Sequence, residues 1–232
     1  DHPQALSIRT EVRLAIHELY AQAGNRFYPI KDSLFTESFA RADAIQSWKR
    51  IRDKEDLRLA VEGGDLVLDA RHSGDSGEEI YYHPVLTALG WSTEQVVVEI
   101  EMKPVFHPQK EGGVAVIFRH SQSLEKGWGL EIFARGRFRV VRWVSGRMEF
   151  PFGENRHFLP GGNQSRYVVR IVQIGGYSYL HVNGHPLPDP VVVDPEASTG
   201  YGFYVLDGTL LRVERVDVRN LGRKFRKLSG ED

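Results

Sequence analysis

From Glu94 onward the chain repeats one pattern: short runs rich in Val, Ile, Tyr and Phe, broken at close intervals by glycine. The runs fall at 95 to 103, 113 to 120, 128 to 135, 137 to 144, 166 to 174, 177 to 182, 200 to 206 and 210 to 219. Gly112-Gly113, Gly136, Gly175-Gly176 and Gly208 stand at their joins, and Asn183-Gly184 supplies the two left-handed residues that a type I′ hairpin turn requires. A parallel sheet needs a crossover of a dozen or more residues, usually a helix, between strands, whereas most of these runs follow one another closely and no helices stand between them. The pattern therefore predicts an all-β antiparallel sandwich or barrel.

Three earlier strands are expected at Leu34 to Phe39, Leu57 to Val61 and Asp65 to Ala70, the last two joined at Gly63-Gly64. Residues 71 to 92 break the rhythm with a polar Gly/Ser/Asp stretch followed by an aromatic cluster, and read as a long loop over one edge. Before all of these, Ile8, Val12, Ala15, Ile16, Leu19 and Ala23 recur at helical spacing within Ala5 to Ala23, marking an amphipathic helix stopped by Gly24-Asn25. Its apolar stripe either packs on the outside of the sandwich or, as an oligomer or complex contact through residues 5–23, docks on another subunit. At 232 residues one core suffices. The expected organisation is a helical extension over 1–30, one β-sandwich domain over 31–222 and a polar tail over 223–232.

A formal net charge of -1 gives the molecule no long-range field to draw it to nucleic acid or anionic membrane. The absence of cysteine excludes disulfides, thiolate metal sites and cysteine catalysis. No apolar run approaches the ~20 residues that span a bilayer. The chain begins at Asp1 rather than methionine, which reads as a processed form or an excised fragment, and the expected location is periplasmic or extracellular.

Several stretches resemble the concanavalin A-like lectin/glucanase superfamily, and most closely its bacterial laminin G-like and keto-glycoside-hydrolase-like branch. Gly113-Val-Ala-Val-Ile-Phe118-Arg119 is similar to that branch's glycine followed by an apolar strand ending in Phe-Arg. Trp128-Gly-Leu130-Glu-Ile132 looks like the alternating aromatic strand after it, and Gly136-Arg-Phe138 like the turn that begins the next. Tyr167-Val-Val169-Arg-Ile171 and Leu180-His-Val182-Asn183-Gly184 resemble a strand pair meeting at a Val-Asn-Gly hairpin, and Gly200-Tyr-Gly202-Phe203 with Val213-Glu-Arg-Val216-Asp-Val218 the last two strands. The resemblance implies a jelly-roll β-sandwich of two antiparallel sheets; a shared fold does not carry function with it.

Glucanases of that superfamily set carboxylates on alternate residues of one strand in an E-x-D-x-x-E pattern, so that acid and nucleophile face one cleft. This chain has no such pattern. Glu99-Ile-Glu101 is its nearest equivalent, and reads as the solvated outer face of an amphipathic strand. His181-x-x-x-His185 straddles the Asn183-Gly184 turn, where two imidazoles could approach each other but lack a third ligand. Asp53, Glu55 and Asp56, or Asp75, Glu78 and Glu79, offer oxygens to calcium without the spacing of an EF-hand, so no cofactor is expected. Asn163-Gln-Ser165 is a formal glycosylation sequon in a loop.

The arginines Arg119, Arg135, Arg137, Arg139, Arg142 and Arg147 concentrate in one stretch. Strand alternation puts Arg119, Glu131, Arg139, Trp143, Arg170, Tyr179 and His181 on the side opposite Phe118, Leu130, Ile132, Val169, Ile171, Leu180 and Val182, which make a core face. The first set predicts a sheet surface of arginine, aromatic and acidic groups, whose forks and faces suit an oligosaccharide or acidic polymer. An ordinary solvated sheet, with Glu131 paired to its arginine neighbours, is the competing reading. The expected function is a non-catalytic module binding carbohydrate or a protein partner, within a larger exported or envelope-associated bacterial assembly. A glycoside-cleaving enzyme of the same superfamily and a structural subunit are the alternatives.

Overall fold

The computed structural model describes residues 30–41, 43–44, 48–50, 58–71, 84–86, 95–108, 112–120, 126–153, 157–159, 162–174, 176–187, 191–192, 200–206 and 208–221. The expected helix of Ala5 to Ala23, the polar tail and both acidic clusters lie outside the described residues. Along the chain the strands are β1 (Ile30–Glu37), β2 (Trp48–Arg50), β3 (Arg58–Glu62), β4 (Asp65–Asp69), β5 (Pro84–Leu86), β6 (Gln95–Phe106), β7 (Gly113–His120), β8 (Lys126–Phe133) and β9 (Arg137–Val144). There follow β10 (Arg147–Glu149), β11 (His157–Phe158), β12 (Tyr167–Ile174), β13 (Tyr177–Val182), β14 (His185–Pro186), β15 (Val191–Val192), β16 (Gly200–Val205) and β17 (Thr209–Leu221).

Among the described residues these form two antiparallel sheets. The nine-stranded sheet runs β14-β13-β12-β6-β17-β4-β3, with β1 also on β17 and β15 also on β13; the eight-stranded sheet runs β10-β9-β8-β7-β16-β5-β2, with β11 also on β9. Alternation decides what each strand buries. Val96, Val98, Ile100 and Met102 of β6 face Val114, Val116 and Phe118 of β7 across one core, joined by Leu130 and Ile132, Val169 and Ile171, and Leu180 and Val182. Removing each such side chain from water contributes about 1.5–3 kcal/mol, so this layer dominates the stability of the fold.

The pattern slips where a strand carries an extra residue. On β17 the buried positions are Leu211 and Val213, then Val216 and Val218, and the pairing with β6 shifts between Val213 and Arg215. The bulge restores the apolar face to the core after a spacing of three. At the turn between β13 and β14, Asn183 and Gly184 take φ of 52° and 79°, the left-handed pair expected of the hairpin, and the Asn183 side chain accepts a 2.7 Å hydrogen bond from the Val168 amide of β12.

Three readings of the sequence need correction. The loop expected over 71 to 92 contains β5, which pairs with β2 and β16; three residues are too few for a hydrophobic period to register. The first strand stops at Glu37 rather than Phe39, because the Glu37 carboxylate accepts from the Phe39 amide at 2.9 Å and the chain turns to drive Phe39 into the core at φ 51°. His185 pairs with Val182 in the hairpin, so its side chain lies on the opposite face from His181, and the two imidazoles do not meet.

Candidate functional site

The seven residues expected to share a ligand-binding surface are divided between the two sheets. Glu131, Arg139 and Trp143 project from the eight-stranded sheet, and Arg119 lies in the same sheet at the end of β7; Arg170, Tyr179 and His181 belong to the nine-stranded sheet. Alternation separates inward from outward positions, but a sandwich has two outward faces, and only the strand order tells them apart.

The outward face of the eight-stranded sheet is a second core. Ala115, Ile117, Phe133, Val141, Trp143, Tyr204 and Leu206 cluster there, with Met148 and Phe150 packed against them. Trp143 lies across Gly129, where a Cβ would come within 2.9 Å of the indole, and meets Tyr204 edge-on at 6.0 Å. Glu131 is only 1% exposed. One carboxylate oxygen accepts from the Tyr204 hydroxyl and the other from Arg139 Nε at 2.6 Å, while the Arg139 guanidinium stands 4.3 Å from the Phe150 ring centroid. With Trp143 itself 7% exposed, neither its ring nor the Glu131 carboxylate is presented to a ligand.

On the outward face of the nine-stranded sheet, charges answer one another. Arg170 pairs with Glu99, and Arg166 bridges Glu101 and Glu214, which also takes Lys103 at 2.5 Å. The carboxylates of Glu99 and Glu101 are therefore both ion-paired. Asp217 is buried, which pushes its carboxyl upward, but the Thr36 hydroxyl and the Arg219 and Arg215 guanidinium groups more than offset this and hold it below the usual carboxylate range. A depressed folded-state value stabilises the fold above about pH 4, the unfolded value, and that contribution is lost as pH falls through the folded one. Between pH 7 and pH 3, chemical denaturation is expected to register a larger loss for the wild type than for Asp217→Asn; equal losses contradict this.

An open cleft lies elsewhere, at the end of the sandwich where β8 turns into β9. A 3-10 turn, Ala134–Gly136, makes that connection, with Arg135 at φ 64° and Gly136 at φ 65°. Leu159 and the segment 162–165 close onto the turn: the Leu159 amide donates to the Gly136 carbonyl at 2.7 Å and the Gly162 amide to the Leu159 carbonyl at 3.0 Å. The buried Tyr167 hydroxyl pins the same segment, accepting from the Gln164 amide at 3.1 Å and donating to Asn163 Oδ1 at 3.4 Å. Burial raises the Tyr167 pKa, with the Gln164 amide pulling partly against it, so the phenol keeps the proton it donates.

Between this segment, the turn and the end of β6 opens a cleft of about 670 Å³ lined by Phe106, His107, Phe133, Arg135, Arg137 and Asn163 among others. No carboxylate is among its described lining residues. Phe158, opposite Arg137 in the strand pairing, is 77% exposed, and Val105 on the cleft wall is also exposed. Guanidinium forks, amide and hydroxyl groups and exposed aromatic surface together match a polyhydroxylated or acidic ligand. Sequence reasoning noted Arg135, Arg137 and the Asn163-Gln-Ser165 triplet separately without joining them. The signal available was two arginines flanking the glycine that interrupts the strands; the contribution of 162–165 needed the fold.

No protein-family model and no curated protein matches the chain. Solved structures do. A protein of unknown function with a galectin-like fold from Bacillus subtilis is 13% identical with a TM-score of 0.58, over 85% of this chain and 100% of that one. Carbohydrate binding module CBM66 from Bacillus subtilis is 11% identical with a TM-score of 0.56, over 75% and 96%. A non-specific endo-β-1,3(4)-glucanase from family GH16 is 13% identical with a TM-score of 0.56, over 83% and 93%. Identities this low speak to fold alone. Two antiparallel sheets packed over one core, alike in shape to galectin-like, carbohydrate-binding-module and glucanase structures, make this chain a jelly-roll β-sandwich.

Proposed function

We propose that the protein is a non-catalytic carbohydrate-binding module that takes its ligand in the cleft beside the Ala134–Gly136 turn, as one part of a larger exported bacterial protein. The observation that carries this reading is the cleft's chemistry: two arginines, an imidazole and side-chain amides beside aromatic surface, and no carboxylate among the described lining residues. The fold-level likeness to a carbohydrate binding module supports it. Membership of the laminin G-like branch is part of the same proposal, and rests on the order of the Phe118-Arg119, Trp128 and Val182-Asn183-Gly184 motifs.

Glycoside cleavage fits less well. Hydrolysis needs two carboxyl groups about 5–10 Å apart on an accessible cleft. Glu131, the carboxylate on the outward face of the eight-stranded sheet, is buried against Arg139 and Tyr204, and the apolar cluster around it brings no second acid.

A glycan array carrying neutral and uronate-bearing oligosaccharides tests the reading, followed by calorimetry on any glycan retained. Arg135→Ala is expected to weaken binding at least tenfold, the loss typical of an anchoring arginine. Arg147→Ala, which removes the same charge from an exposed position on β10, leaves affinity unchanged. Retention of no glycan at all, or equal affinity in both variants, contradicts the proposal.

A further inference from the structure

Two arginines reach the cleft from either side of Gly136, and their surroundings differ from those of Arg139, two residues further along β9. Arg139 stands opposite Glu131 on β8 and is ion-paired with it, whereas Arg137 stands opposite Phe133. On its other side Arg137 pairs with Phe158 of β11, so one cross-strand row reads Phe133, Arg137, Phe158. Residues directly opposite in an antiparallel ladder share a face, with Cβ atoms about 4.5–5.5 Å apart. Phe158, largely open to water, therefore stands beside an arginine that lines the cleft. Arg135 is itself exposed, and no carboxylate among the described residues pairs with it. Its φ of 64° is a conformation that glycine takes at lower cost, yet the position carries a long cationic side chain.

The lining thus concentrates one sign of charge. Arg135, Arg137 and the His107 imidazole border the same space, and none of its described lining residues is acidic, in a chain whose formal net charge is -1. Two guanidinium groups facing one cleft repel each other, and an anion between them relieves that repulsion where a neutral ligand does not. A carboxylate or sulfate also takes two parallel charge-assisted bonds from one fork, each roughly twice as strong as the bond a hydroxyl accepts. In a uronate the carboxylate is bonded directly to the sugar ring. A group held by Arg137 therefore leaves the ring's carbon-bound hydrogens within reach of Phe158.

We infer that the cleft selects acidic saccharides over neutral ones, with Arg135 and Arg137 holding the carboxylate or sulfate group and Phe158 supporting the ring. This rests on the carbohydrate-binding reading and narrows it to one ligand class.

The probes are polygalacturonate, alginate and hyaluronate, each beside its carboxyl-reduced form, and dextran sulfate beside dextran, compared by affinity electrophoresis of the full chain. At least one acidic polymer is expected to retard the protein, with a Kd at least about tenfold below that of its neutral counterpart. Arg135→Gln keeps an amide for hydroxyl groups but loses the charge, and is expected to bring the two forms within about threefold of each other. Phe158→Ala is expected to weaken acidic binding several-fold, and Arg147→Ala, on β10, to leave it unchanged. Retardation by uronate polymers alone assigns the anion to a carboxylate, and by dextran sulfate alone to a sulfate ester; either supports the inference when it depends on Arg135. Equal affinity for acidic and neutral forms overturns the inference and leaves carbohydrate binding standing. Acidic binding that survives Arg135→Gln undiminished, or that Arg147→Ala weakens as much, also overturns it, by marking an unspecific attraction of polyanions. Failure of every polymer, acidic and neutral, overturns both readings.

Discussion

Arg139→Ala is expected to lower the unfolding free energy by about 3–5 kcal/mol, the loss that follows when one partner of a buried ion pair is removed and the other stays behind. The partner here is Glu131, 1% exposed and unable to move to water without opening the apolar cluster of Ile117, Phe133, Trp143 and Tyr204. Tyr204 holds one of its oxygens, but a neutral hydroxyl does not balance a buried charge. Arg139 also loses its stacking on Phe150. Glu131→Gln keeps the shape and removes the charge from the other side, leaving a guanidinium that is less deeply buried, so a smaller loss is expected. Replacing both with apolar residues of similar volume, Glu131→Leu with Arg139→Met, is expected to recover much of the deficit, because the pair's attraction barely exceeds its desolvation cost. Urea denaturation measures all three; a loss below about 1 kcal/mol for Arg139→Ala would place the pair among ordinary surface salt bridges.

That expectation changes the role of residues which, on the sequence, belonged to a binding surface. The sandwich was legible because its evidence is local. Alternation named the core residues Val169, Ile171, Leu180 and Val182, and Asn183-Gly184 named the turn that follows Val182, between β13 and β14, since both depend on neighbours a few positions apart. Whether an outward residue meets water depends on what packs over it. Glu131 and Arg139 look like a polar face in the sequence, yet Met148 and Phe150, from a strand of three residues and the position after it, help to close that face. The division of the ligand set had the same origin: Arg139 and Arg170 are both outward, but β9 and β12 sit in different sheets, and strand order is fixed by pairings far apart in the chain. Arg119 adds a third reason. A bulge breaks period two, so parity counted from Phe118 does not say where the next side chain goes.

Gly136→Ala carries the second large expected effect, and it separates structure from binding at the cleft. Two constraints meet at this position. The residue has φ of 65°, where a side chain costs about 1–2 kcal/mol. A Cβ would also stand 2.4 Å from the Asn163 nitrogen and the Gly162 carbonyl carbon, both backbone atoms that no rotamer can move aside. Relief requires Leu159 and the segment 162–165 to lift from the turn, stretching the Leu159-to-Gly136 hydrogen bond and drawing Asn163 and Gln164 away from the Tyr167 hydroxyl. With overpacking adding about 1–3 kcal/mol, the total expected loss is about 2–5 kcal/mol. Gly146→Ala provides the internal comparison: its φ is 74° but nothing lies within 4 Å of an added Cβ, so only the conformational part, about 1–2 kcal/mol, is expected there. Because the lifted segment forms one wall of the cleft, Gly136→Ala is also expected to abolish any glycan binding that Arg135→Ala weakens, at temperatures where the variant is still folded. Arg139→Ala, which strikes the sealed face and lines no part of the cleft, is expected to lose stability while binding with unchanged affinity under the same conditions. A Gly136→Ala protein that unfolds like Gly146→Ala, or that binds glycan like the wild type, would show that the wall does not rest on the glycine.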